Sequence, residues 1–323
     1  MKSSFSLPIV SVSAVISGVS YLALPSCKDI ESGFLIMVIG AVFGSVVLLG
    51  SSGGSDVNKG VLVYFIFQLV GSSLILVGLS VLADPVGSYF CSVGYLVKVG
   101  LFPFHWWVYY VFPKLGWLAF LPGMVLFKLG IIMGIPFYLG WWVVSLVFFM
   151  SFVYSVWGVM SCSMGSLKEV VAWVSISDSC WAVLSSMVGL KLVFFYLLGS
   201  GVSLSLVCLV MFGESVESVG GVIRCSHPWG VVVGLGSYMG FPPFMGCVSK
   251  LYVVDCLSAL PDCGWYILSF GGLMSSAVML VVVLGVVSSA GVGVKKWKLE
   301  EGFGVAFLFH FVLNMGFWTL FTL

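Results

Sequence analysis

Three lysines, Lys98, Lys128 and Lys250, stand inside stretches that are otherwise almost wholly apolar. Lys98 lies in "YLVKVGLFPFHWWV" (95–108), Lys128 in "PGMVLFKLGIIMGIPF" (122–137) and Lys250 in "GSYMGFPPFMGCVSKLYVVDC" (236–256). A lysine in the middle of a membrane helix costs roughly 2.5–3.5 kcal/mol on insertion scales, so one that is kept there reads as functional. The plain alternative is that each snorkels to an interface along its four-carbon stem. Burial penalises an ammonium and can lower a lysine pKa by up to about 3–5 units. A second lysine one helix away acts in the same sense, and a nearby carboxylate opposes it. A row of such groups passes protons when a charge arriving at one end changes the proton affinity of the next.

Few carboxylates are placed to join such a row. Glu31 opens an apolar run in "CKDIESGFLIMV", and Asp178 lies mid-run in "WVSISDSCWAVL" with Ser175 and Ser179 on roughly its own face. A solvated acid at a helix start is the simpler role for Glu31. For Asp178 the simpler role is a carboxylate bonded to neighbouring hydroxyls. His105 follows Pro103 by two residues, among Trp106, Trp107 and Tyr109. It fits either an interfacial histidine or a proton relay, because its ordinary pKa lies near neutrality.

The elements that must position these residues follow from composition. The 323 residues are 61% hydrophobic and only 8% charged, with mean hydropathy +1.20. Soluble domains carry about 25% charged residues, so this is an all-α polytopic membrane protein. Its long unbroken apolar runs lack the alternation of a barrel. Eleven runs are long enough to span a roughly 30 Å hydrocarbon core. They are Phe5–Leu24, Gly33–Leu49, Val61–Ala83, Val86–Leu101 continuing through Pro103–Val111, Trp117–Leu139, Trp141–Met160, Leu167–Val188, Lys191–Phe212, Trp229–Asp255, Tyr266–Ser288 and Phe303–Phe321. Lys2 ahead of an apolar stretch resembles a signal peptide, but Pro8 and ten further runs favour a retained first span. The whole of 1–323 reads as one transmembrane domain, with "GESVESVGGVIRCSHP" (213–228) lying along the membrane surface.

Two runs are interrupted. Pro103 breaks the fourth just after Lys98, and Pro242–Pro243 break the ninth just before Lys250. Opened backbone at membrane depth survives only when buried in protein or lining a hydrated cavity. The broken runs take the same place in two halves, 5–139 and 141–288, with 303–321 as a final helix. Paired discontinuous helices are the mark of an inverted-repeat transporter.

Loop lysines and arginines set orientation. Lys2, Lys59, Lys114, Lys168, Arg224, Lys295, Lys296 and Lys298 fall on the side of the N-terminus, against Lys28 and Lys191 opposite, which puts the N-terminus inside. Asp84, Glu214, Glu217, Glu300 and Glu301 read as loop charges. The nine cysteines form no CxxC pair or Cys/His ligand spacing, which argues against an iron–sulfur or haem site. No basic block or Gly-rich phosphate loop points to nucleic acid or nucleotide.

These segments resemble a known family. "LVKVGLFPFHWWV" is similar to the K-L-G-x-x-P-F-H-F-W-V stretch of the NADH dehydrogenase subunit 2 family of respiratory complex I, and "GFPPFMGCVSKLYVV" to its G-L-P-P-x-x-G-F-x-x-K segment. "WGVMSCSMGSLKEVVAWVSISDSCW" resembles its W-G-x-x-x-x-x-x-L-K-x-x-x-A-Y-S-S-I-x-H-x-G-W region, and "VYFIFQLVGSSLIL" (63–76) its third-span stretch with Gln68. The likeness runs from about residue 60 to 255. It implies antiporter-like inverted repeats in a proton-translocating membrane-arm subunit, in the shortened mitochondrial form, with Lys98 on the input side, Lys128 central and Lys250 on the output side. It also implies a second-span glutamate paired with Lys98, for which Glu31 is the candidate. Two departures stand out: Asp178 replaces the family's histidine, and Tyr109–Tyr110 replace its Pro-Glu. The resemblance further implies a multi-pass protein of the mitochondrial inner membrane with its N-terminus on the matrix side. Its partners would be other complex I membrane-arm subunits and the lipid bilayer. NADH and ubiquinone would be handled by the complex, with flavin and iron–sulfur centres on other subunits and no cofactor on this chain. The rival functions are a stand-alone cation/proton antiporter and a membrane scaffold.

Overall fold

A helix facing lipid turns apolar side chains outward and satisfies its polar ones within the protein, and the first helix, α1 (Ser6–Ala23), does this. Val12, Val15, Val19 and Leu22 are exposed, whereas Ser13, Ser17 and Ser20 are buried. The three buried hydroxyls donate to Ile9 O, Ala14 O and Ile16 O within the same helix. A water-soluble helix would show the reverse arrangement.

A computed structural model describes residues 6–27, 29–51, 55–81, 85–125, 128, 141–161, 166–214, 218, 228–241 and 244–258. After α1 come α2 (Ile30–Ser51), α3 (Ser55–Ser80), α4 (Pro85–Val99), α5 (Trp106–Val111), α6 (Trp117–Met124), α7 (Trp141–Ser161), α8 (Leu167–Val188), α9 (Leu190–Glu214), α10 (Pro228–Met239) and α11 (Met245–Ser258). Among the described residues there is no strand, only an isolated bridge between Ser166 and Ser218. Among the described residues, four stretches are long and apolar enough to cross a membrane unbroken: Glu31–Gly50, Asp56–Ser80, Leu167–Val188 and Leu190–Gly213. The expected runs at Tyr266–Ser288 and Phe303–Phe321, most of the fifth run beyond Met124, and Pro242–Pro243 lie outside the described residues.

The chain divides into two compact units, Met1–Ser151 and Phe152–Leu323. The first is organised by the antiparallel pair α3 and α4, which meet along a seam of glycines. A Cβ at Gly71 would lie 2.9 Å from Gly94 O, and one at Gly94 would lie 2.7 Å from Gly71 O. Two turns away, a Cβ at Gly78 would lie 2.7 Å from Gly87 O and 2.5 Å from Cys91 Sγ. Small residues let helix backbones approach where lipid supplies no hydrophobic drive between helices. The short helix α5 lies on α3 through aromatic edges, Tyr64 against Trp107 at 5.7 Å and Phe67 against Trp106 at 4.8 Å between ring centroids.

In the second unit α8 is the inner helix, buried at nearly every position from Leu167 to Ser185. The Ser166 hydroxyl caps it, accepting from Glu169 N. Its serines disappear into the helix itself: Ser175, Ser177, Ser179 and Ser185 donate to carbonyls three or four residues back. Lys168, read as a loop charge, sits in the first turn of α8 and is buried. Helices α9 and α10 are joined by a 2.7 Å bond between the Ser203 and Ser237 hydroxyls.

The seam yields a direct test. Gly78→Ala adds a methyl against backbone, which cannot rotate away, so it should lower stability by about 1–3 kcal/mol as overpacking does. Gly18 in α1 has open space around its Cβ position, and Gly18→Ala should leave stability unchanged or raise it. Thermal unfolding in detergent separates the two; equal melting of both variants would contradict the packing.

Candidate functional site

A helix that stops at membrane depth strands its last carbonyls, and each must find a donor. The first break shows how. α4 ends at Val99, three residues before the cis Phe102–Pro103 bond, because Gly100 turns left-handed at φ +76°. Gly100 N and Leu101 N then both return to Leu96 O, at 3.0 and 3.2 Å. The indole of Trp107, reaching back from α5, donates to Val97 O at 2.9 Å. The Gln68 amide, from α3, donates to Lys98 O at 3.2 Å. On the far side, Phe102 N donates to Ser151 Oγ and Phe104 N to Leu101 O.

Lys98 therefore sits in the last turn of α4, where the negative end of the helix dipole favours a cation. Only 1% of the residue is exposed. Its stem lies against the glycine seam, since a Cβ at Gly71 would come within 2.5 Å of Lys98 Cγ. Among the described residues its ammonium has no hydrogen-bond partner, and neither does Gln68 Oε1. Lys128 is helical and buried, in the same unit. Glu31 lies in the first turn of α2 and is exposed. It is a helix-start acid, and the structure does not place it in the polar interior around Lys98. His105 is half-buried ahead of α5, its ring stacked on Phe102 at 6.2 Å between centroids.

The second break uses the same closure. α10 ends at Met239, Gly240 is left-handed at φ +89°, and Gly240 N and Phe241 N return to Gly236 O at 3.1 and 2.9 Å. Phe244 N then donates to Phe241 O at 2.7 Å, the counterpart of Phe104 N to Leu101 O. In both cases the turn belongs to the glycine of a shared G-x-x-P-F sequence, Gly100–Phe104 and Gly240–Phe244. The prolines seen from sequence come later than the turn itself.

The lysine differs between the breaks. Lys250 reaches back from α11 and its ammonium donates to Met239 O at 2.8 Å, capping α10 with a cation. Gly240 makes room, since a Cβ there would lie 2.7 Å from Lys250 Cδ. Asp178, in the middle of α8, is the one buried carboxylate among the described residues. Its Oδ1 accepts from the Tyr196 hydroxyl of α9 at 2.5 Å. The Asp178 carboxylate is also within electrostatic reach of Lys250 and of the buried Tyr238. Sequence reading missed Tyr196, Tyr238, Trp107 and the capping role of Gln68. Only the G-x-x-P-F recurrence was visible as a signal.

Gly240→Ala would force a left-handed alanine and crowd Lys250. The expected loss is about 1–2 kcal/mol from the backbone alone, read as a lowered melting temperature. Unchanged melting would mean that the turn is not left-handed.

No family model matches the chain. In sequence it is 26% identical over 231 residues to NADH-ubiquinone oxidoreductase chain 2 of Albinaria caerulea, covering 68% of this chain and 69% of that one. In fold it matches a chain of respiratory complex I from Thermus thermophilus with TM-score 0.68 at 16% identity, covering 95% of this chain and 83% of the other. A chain of the Mrp complex of a Dietzia species matches with TM-score 0.65 at 17% identity, covering 92% and 67%. A chain of the membrane-bound sulfane sulfur reductase, an archaeal respiratory membrane complex, matches with TM-score 0.64 at 15% identity, covering 97% and 79%. The resemblance carried by the motifs therefore stands: the chain is similar in sequence to NADH-ubiquinone oxidoreductase chain 2 and shares its fold with chains of complex I and of an Mrp complex.

Proposed function

We propose that the chain is a proton-translocating membrane-arm subunit of an NADH:ubiquinone reductase, with Lys98, Lys128 and Lys250 as its proton-carrying groups. The observation that carries this reading is Lys98: an ammonium 1% exposed, at the carbonyl end of a broken helix, inside a protein whose outer faces are apolar. A buried lysine of this kind is retained for function rather than stability. The similarity to an NADH-ubiquinone oxidoreductase chain supports it. Quinone reduction elsewhere in the complex drives the transfers, and the chain itself carries no redox centre, in keeping with its cysteine spacing. Its partners are the neighbouring membrane-arm subunits. It lies in the mitochondrial inner membrane with the N-terminus on the matrix side, as the lysine and arginine distribution favours. The two broken spans belong to inverted repeats, a reading supported by the shared closure at Gly100 and Gly240.

The fold shared with an Mrp complex favours a second reading, a stand-alone cation/proton antiporter. Cation exchange by carboxylates is less well served, since Asp178 is the only buried one among the described residues.

Native electrophoresis separates the readings: the chain should comigrate with NADH-oxidising activity, and a chain that runs alone and exchanges Na⁺ or K⁺ in vesicles would refute the first. Lys128→Met should lower proton pumping in an assembled complex, with the loss read in vesicles by a pH-sensitive dye. Undiminished pumping would remove Lys128 from the proton route.

A further inference from the structure

We propose that Tyr196 is a positioning residue that holds Asp178 as the counter-charge of Lys250, so that a carboxylate–lysine pair lies in the second unit. The inference rests on the proton-translocation reading and deepens it at one site. The Tyr196 hydroxyl is fully buried and donates to Asp178 Oδ1 at 2.5 Å, the distance of a charge-assisted O–H···O⁻ bond. A buried carboxylate with no fixed donor would be costly, and here a donor is supplied by a fully buried ring on α9. Lys250 is held at its own end by Met239 O. The Asp178 charge acts on Lys250 within one unit, and each group is anchored by a bond of its own. In the first unit Glu31 is exposed, and no carboxylate among the described residues is buried.

The role has a chemical consequence. A proton arriving at or leaving Lys250 changes the charge that Asp178 faces, and the Tyr196 bond keeps the carboxylate from swinging to follow it. Tyr196 exchanges no proton in this scheme; it keeps the pair in register.

The experiment compares infrared spectra and vesicle pumping of the assembled complex carrying Tyr196→Phe, Asp178→Asn, or both. The expected result is that Tyr196→Phe shifts the carboxylate band that Asp178→Asn abolishes, and lowers pumping several-fold. The double variant should pump no worse than Asp178→Asn alone. An unmoved carboxylate band, or additive losses in the double variant, would overturn the proposal, because a purely packing role for the ring survives in phenylalanine. If Tyr196→Phe fails to assemble, Asp178→Asn read on the tyrosine C–O band gives the same answer from the other partner, with an unshifted band as the refuting result. Lys250→Met with undiminished pumping would instead refute the proton-route reading, leaving the infrared result on Tyr196 to be judged separately.

Discussion

Everything in the interior depends on how a helix can stop inside a membrane. Lipid offers no donors, so each broken helix must satisfy its terminal carbonyls with protein. At the first break three consecutive carbonyls, Leu96, Val97 and Lys98, are taken by backbone amides, an indole and a side-chain amide. At the second, Gly236 takes two amides and Met239 takes an ammonium. The left-handed glycine makes both closures possible, because it lets the chain fold back over its own last turn. Once the break is closed in this way, a polar side chain beside it costs less, since the local environment is already built from dipoles.

The glycine seam of α3 and α4 follows from the same need. Gln68 can reach Lys98 O only if the two backbones are close, and Gly71, Gly78, Gly87 and Gly94 permit that approach. The seam also leaves the narrow space in which the Lys98 stem runs. Packing and electrostatics are therefore one problem here. A larger residue in the seam would separate the helices and remove the cap and the lysine's channel together.

Much of this was legible from residue types alone. Long apolar runs announced the helices, and Lys98, Lys128 and Lys250 stood out because charge is scarce. Helix interruptions near 103 and 242 were expected from proline, but the chain actually turns at Gly100 and Gly240. A proline is easily seen as a breaker, whereas a glycine among forty carries little signal until its φ is known. Tyr196 as a partner of Asp178 was not legible, because same-face serines drew attention to a local bond. Serine in a helix readily bonds its own backbone, and a donor came from Tyr196 on α9, eighteen residues away. Glu31 was placed at a helix start by sequence, and its exposure agrees with that plain role.

The two lysines beside the breaks end in different electrostatic situations for a geometric reason. Lys98 precedes its glycine, in the last turn of α4, and its ammonium is not among the donors to the α4 carbonyls. That end is consequently capped by neutral donors, Trp107 and Gln68. Lys250 follows its glycine by ten residues, on a new helix that runs back past the turn, and its ammonium becomes the cap itself. A cation bound to a carbonyl has a defined position in the folded protein. The Lys98 ammonium is buried with no hydrogen-bond partner among the described residues. Its charge is the one that most depends on what water or neighbouring charge reaches it. One G-x-x-P-F closure, with the lysine before the glycine in one unit and after it in the other, thus leaves one helix end capped by neutral donors and the other by an ammonium.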